Sequence, residues 1–184
     1  MDREAIFRRL IHLSAPVFLI YYFLPSPLWA GGPPREVGLL VAFAVAMIFE
    51  LARLVLGFRV PGMREYEAEQ ISASAWSAVA LTFALLFFPL EMAAPVIFGM
   101  ALVDPFISLV RRTKWYPWLP YALHLVIMLT VLSLLVRLDP GTVIAAVVTS
   151  VAAIAAEGIK TSYVDDDFLM IVVPLITLWL MLGL

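Results

Sequence analysis

The chain has 184 residues, 64% of them hydrophobic and 14% charged, with a mean hydropathy of +1.01 and a formal net charge of −2. Soluble domains carry roughly 45–50% apolar residues, so this composition predicts a chain that lives in a bilayer. It has no cysteine, which excludes disulfides, thiolate metal sites and a cysteine nucleophile.

Crossing the hydrocarbon core takes about 20 apolar residues, and backbone groups left unpaired in lipid are costly enough that every crossing is expected to be helical. In chain order the apolar runs predict spans at 10–29, 37–57, 71–88, 92–112, 118–136, 141–157 and 168–184. The expected architecture is an all-α polytopic bundle of about seven transmembrane helices in a single integral membrane domain, 1–184. The first run follows basic residues as a signal peptide would. It is longer than the usual apolar region of one, and no small-x-small cleavage site follows it closely, so it is read as a span. Within the fourth, "VDPF" sets Asp104 before Pro105. A cap residue followed by the residue suited to a first helical turn predicts two half-helices meeting at Asp104.

Sidedness follows from the basic residues. With the N-terminus cytoplasmic, ten of the twelve Lys and Arg residues fall on the inner side, leaving only Arg35 and Arg137 outside. The acids repeat this asymmetry: only Glu36, Glu91 and Asp139 fall outside. A cytoplasmic face rich in both signs suits a polyanion with bound divalent cations, basic groups meeting phosphates and carboxylates meeting the metal.

Four constellations lie on that face. "RRLIH" sets Arg8, Arg9 and His12 on about one helical turn, either as a positive-inside anchor or as an anion site. "FELARLVLGFRVPGMREYEAEQ" places Glu50 and Arg53 one turn apart inside a span, either a structural ion pair or a functional one. A loop with Arg64, Glu67 and Glu69 follows it. Asp104 heads the expected half-helix, where free N–H groups attract phosphate and the carboxylate binds Mg2+. Last, "AAEGIKTSYVDDDF" sets Glu157 and Lys160 before three adjacent aspartates, Asp165, Asp166 and Asp167. One acid suffices at a helix start; three repel one another, and a divalent cation with a preference for hard oxygen relieves the repulsion.

The order of these motifs resembles the polyprenol kinase family, which includes dolichol kinase, phytol kinase and the CTP-dependent diacylglycerol kinase. "RRLIH" resembles that family's Arg-Lys-x-x-His, "ELAR" its Glu-x-x-Arg, "MREYEAE" its Arg and Glu loop, "VDPFIS" its Gly-Asp-x-x-Ala, and "AAEGIKTSYVDDDF" its Ala-Glu followed by Asp-Asp-Asn. Val103 and Asp167 depart from the pattern, and the family's Lys-Thr-x-Glu-Gly-Ser stretch has no counterpart. The resemblance implies a multi-spanning, Mg2+-dependent phosphotransferase in the cell membrane, its active face cytoplasmic, moving a phosphoryl group from a nucleotide triphosphate, CTP in several members, to a polyprenol-like or diacylglycerol-like lipid alcohol. It implies that Asp104, Asp165 and Asp166 are catalytic and carry Mg2+ together with Asp167. Arg53, Arg64 and Lys160 would grip phosphates, with Glu50, Glu67 and Glu157 beside them, and Arg9 and His12 would meet the lipid headgroup. A cytidylyltransferase making a CDP-lipid from a lipid phosphate, and a non-catalytic polyprenyl-phosphate binding or carrier protein, are the alternative readings. Nucleic acid is not an expected partner, and a homodimer stays open.

Overall fold

A computed structural model describes the backbone of residues 3–159 and 164–183, and the side chains of all of these except 3–8 and 66. Its described residues form seven α-helices and no strand: α1 (Arg3–Ser14), α2 (Arg35–Leu56), α3 (Ala73–Phe87), α4 (Leu90–Val110), α5 (Trp118–Leu135), α6 (Pro140–Glu157) and α7 (Asp166–Leu182). Four of them, α2, α4, α5 and α6, are long and apolar enough to cross a membrane. At 1.5 Å per residue the 22 residues of α2 reach about 33 Å, the thickness of a hydrocarbon core.

Two expectations are corrected. The first apolar run does not continue as one helix to residue 29. After α1 the chain tightens into a 3₁₀ helix over Ala15–Phe23, then leaves helical geometry in the stretch that holds Pro25 and Pro27. A 3₁₀ helix rises about 2.0 Å per residue, so its nine residues extend about 18 Å where an α-helix would reach about 14 Å. Nor does α4 break at Asp104. It runs from Leu90 to Val110 with both Pro95 and Pro105 inside. A proline deletes one backbone hydrogen bond, whereas ending a helix at depth would strand several N–H and C=O groups in an apolar medium.

Local chemistry sets the remaining boundaries. Gly57, with φ of 67°, ends α2 in the left-handed region that a side chain would strain. Ser72 caps α3 by accepting from the Ala75 amide, and Asp139 caps α6 by accepting from the Thr142 amide at 2.7 Å.

The core forms where α4 and α7 meet their neighbours. α7 packs on α6, α3 and α4, while α4 also packs on α5 and the 3₁₀ segment. Close approach at α6 comes from small residues on its buried face, Ala145, Ala146, Thr149, Ser150 and Ala153. Trp76 and Phe168, in edge contact at 5.4 Å between centroids, hold α3 to α7. α2 stands apart, packed chiefly on α3: only 11% of its apolar window is buried, against 56% for α4. Its exposed Val45, Ile48, Val55 and Leu56 make it an outer wall. Exposed tryptophans flank the bundle at both ends, Trp115 and Trp118 by the α4–α5 connection, Trp29 before α2 and Trp179 near the end of α7. Such a distribution suits headgroup depth on two sides of a bilayer.

Candidate functional site: a carboxylate and histidine cluster at one end of the bundle

α1, α4 and α7 converge at the end of the bundle that carries most of the charge. His12 Nε2 lies 3.8 Å from Asp104 Oδ2 and 3.7 Å from Asp167 Oδ2. Because α4 continues through Asp104, this carboxylate is a side chain on a helix flank, facing His12, and not the cap of a half-helix with N–H groups free for phosphate. His12, expected to meet a lipid headgroup together with Arg9, is buried beside two acids and borders a cavity. Arg9 lies against the end of α4, its Nη2 donating to Ser108 Oγ at 3.2 Å.

The three aspartates divide their tasks. Asp165 is the N-cap of α7, its Oδ1 accepting from the Asp167 amide at 3.1 Å. Asp166 and Asp167 follow in the first turn, only 9% and 4% exposed. The Ser77 hydroxyl, one turn into α3, donates to Asp167 Oδ2 at 3.3 Å. Burial first, then the neighbouring Asp166 carboxyl, push the Asp165 carboxyl up to about 6. Among the described residues two ligand groups result, each with its donor atoms within 4.8 Å of one another: His12, Asp104 and Asp167; and Asp165, Asp166 and Asp167. The second group is all hard oxygen, as Mg2+ requires, and Asp104 adds a fourth carboxylate across the first.

Of the expected phosphate ligands, Arg64 reaches this cluster. Its Nη1 lies 3.8 Å from Asp165 Oδ2 and its Nε 4.0 Å from Glu67 Oε1, so it ties the α2–α3 loop to the start of α7. Arg53 is only 1% exposed and its guanidinium is engaged within the protein. Nε and Nη2 donate to the two Glu50 carboxylate oxygens at 2.9 and 2.7 Å, Nη1 to the Glu67 carbonyl at 3.0 Å, and Nη2 also to the Gln70 carbonyl at 2.7 Å. Glu50 in turn accepts from the Ser72 amide at 2.7 Å and hydroxyl at 3.0 Å. Four of the five N–H donors of Arg53 are thereby spent, so Glu50 and Arg53 brace the loop that carries Arg64 and Glu67.

Glu157 is likewise engaged within the protein. Fully buried at the end of α6, it pairs with Arg111 at the end of α4 and accepts from the Tyr116 hydroxyl at 3.0 Å. Lys160, expected to reach a phosphate, lies outside the described residues, as does the side chain of Arg8.

A cavity of about 570 Å³ opens beside the cluster, between α1 with its 3₁₀ continuation, α2, α3 and α4. His12, Ser77 and Asp167 stand in its polar wall, while Phe18, Val45, Phe49 and Leu81 line an apolar one. Chain direction orders these walls: on α2 the apolar residues precede Glu50 and Arg53, and on α3 the serines precede Leu81. The cavity therefore grades from polar at the charged end to apolar toward the middle of the bundle.

Ser77, Tyr116 and Arg111 are the residues that sequence reasoning passed over. The spacing of serines in "SASAWSA", with Ser74 and Ser77 one turn apart at the start of an apolar helix, is the signal that marks a polar stripe on α3. No family model, curated protein or solved structure matches the chain.

Proposed function

We propose that the chain is a membrane-embedded phosphotransferase of the polyprenol kinase type, working at a cytoplasmic face of the cell membrane. In this reading seven segments cross the bilayer: the four long apolar helices, α3, α7, and α1 with its 3₁₀ continuation. The observation that carries the reading is a cluster of four carboxylates and a histidine at the polar mouth of a cavity whose inner wall is apolar. Such a cavity suits an amphiphile whose hydroxyl reaches the acids while its chain lies along α2.

Asp165, Asp166 and Asp167, with Asp104 opposite, have the oxygen donors to hold Mg2+, which when bound neutralises charge on a nucleotide's phosphates. The lipid hydroxyl oxygen attacks the terminal phosphorus, the bond to the nucleoside diphosphate breaks, and one of these carboxylates takes the hydroxyl proton. Arg64 meets the phosphates from the α2–α3 loop, which Arg53 and Glu50 hold in place.

The test is transfer of label. Detergent-solubilised protein is incubated with Mg2+, gamma-labelled CTP or ATP, and membrane lipids of the host. Label in the organic phase that disappears with EDTA or in Asp166→Asn is the expected result, with a nucleoside diphosphate released. Release of pyrophosphate in its place identifies a cytidylyltransferase. Nucleotide or lipid-phosphate binding without any transfer overturns catalysis and leaves a binding protein.

A further inference from the structure

We infer that His12, Asp104 and Asp167 form a divalent-cation site of their own, with one nitrogen and two oxygen donors, selective for a first-row transition metal over Mg2+. The inference rests on the same cluster as the phosphotransfer reading, but it concerns which ion the protein itself holds, whether or not a phosphoryl group is moved.

Three observations carry it. The donors come from three different helices, α1, α4 and α7, so their meeting is a product of tertiary packing and not of a run of acids in sequence. The spacings of 3.8 and 3.7 Å from His12 Nε2 to the two carboxylates exceed hydrogen-bond length. Donors about 2.1 Å from one ion sit about 3.4 Å apart in a tetrahedron and about 3.0 Å apart as octahedral neighbours. The two spacings fall within reach of either arrangement after a small contraction, so the donors can close on one shared ion. Finally, the Ser77 hydroxyl orients Asp167 Oδ2, and His12 and Asp167 border the cavity, so further coordination positions face space that water or a substrate oxygen can fill.

Donor chemistry points the same way. Imidazole nitrogen suits zinc, iron, cobalt and nickel, whereas Mg2+ favours oxygen and gives up its water reluctantly. The neighbouring group of Asp165, Asp166 and Asp167, without nitrogen, is the one suited to Mg2+. Asp167 belongs to both groups, which would set two cations side by side on one bridging carboxylate.

The experiment uses the full chain in detergent, freed of any histidine tag, with metal ions alone and neither nucleotide nor lipid. Mn2+ is added and pulsed electron paramagnetic resonance is searched for nitrogen coupling; Co2+ is titrated by its visible absorption, with Mg2+ as competitor. Only two histidines can supply nitrogen, His12 and His124. The expected result is nitrogen coupling that survives in His124→Gln and is lost in His12→Gln. Co2+ affinity should fall about tenfold or more in His12→Gln, and more than about a tenfold excess of Mg2+ should be needed to displace Co2+ from the wild type. Absence of nitrogen coupling in the wild type overturns the inference, and needs no variant to fold. So does displacement of Co2+ by equimolar Mg2+. Because no transfer is measured, a failed kinase assay and a failed metal site are separate results.

Discussion

Replacing Arg53 by Met tests whether the Glu50–Arg53 pair braces the protein or serves a ligand. The substitution keeps much of the apolar stem and removes the guanidinium. Glu50, itself 7% exposed, would lose two charged hydrogen bonds and keep the two from Ser72, while the Glu67 and Gln70 carbonyls would each lose a donor. Breaking a buried pair from one side leaves an uncompensated charge and costs about 3–5 kcal/mol. For a chain of this size that corresponds to a fall in Tm on the order of 10 °C. Thermal unfolding in detergent, followed by circular dichroism without nucleotide or lipid, measures the loss. Limited trypsin digestion gives a second readout, since the freed loop should be cut faster at Arg59 and Arg64. The double variant Glu50→Gln with Arg53→Met should recover part of the loss, because the orphaned charge is then gone. A cost for Arg53→Met within about 0.5 kcal/mol, with unchanged digestion, would refute the reasoning and return Arg53 to the role of a ligand-binding arginine.

Gly99 packs under the ring of His124, where an added Cβ would stand 2.6 Å from Nε2. His124 is itself held by Ser150 at 3.0 Å and cannot retreat freely, so Gly99→Ala should lower stability by about 1–3 kcal/mol through overpacking, read by the same unfolding experiment. The Asp165 carboxyl, raised to about 6, binds a proton more readily folded than unfolded. Its contribution in the metal-free protein is therefore full below the unfolded value near 3.8 and lost as pH rises through about 6. Metal-free protein should unfold at a higher temperature at about pH 5 than at about pH 7.5, and saturating Mg2+ should narrow the difference by stabilising the ionised form. Asp139→Ala, at the far end of the bundle, should lower the unfolding temperature by removing the α6 cap, yet leave cation affinity unchanged.

The reach of the sequence differs sharply between elements and contacts. The apolar runs give α2 to α7 to within a few residues, because burial in lipid and backbone satisfaction leave helices as the main solution over such runs. They mislead at the first run, which turns 3₁₀ over Ala15–Phe23 and ends there, and at Asp104–Pro105, where a local cap signal loses to the continuity of α4. The charged residues are legible one by one but not their partners, since a partner depends on how helices distant in sequence pack. Glu50 and Arg53 read equally as brace or site until the Glu67 and Gln70 carbonyls are seen beneath the guanidinium.

The aspartate triplet shows most clearly what local pattern withholds. From the chain alone it is an excess of negative charge at a helix start, of which one member can be a cap. Folded, Asp165 is that cap, and capping fixes the direction of the first turn so that Asp166 and Asp167 enter the bundle. Asp167 then meets Asp104 from α4 and His12 from α1, with Ser77 at its back. Two carboxylates brought this close, with an imidazole between them, are balanced by an imidazolium, by shared protons or by a cation. A metal ion would use His12 as the one nitrogen donor against two oxygens, whereas an imidazolium would only pair with them, so replacing His12 separates the two cases more cleanly than replacing any of the acids.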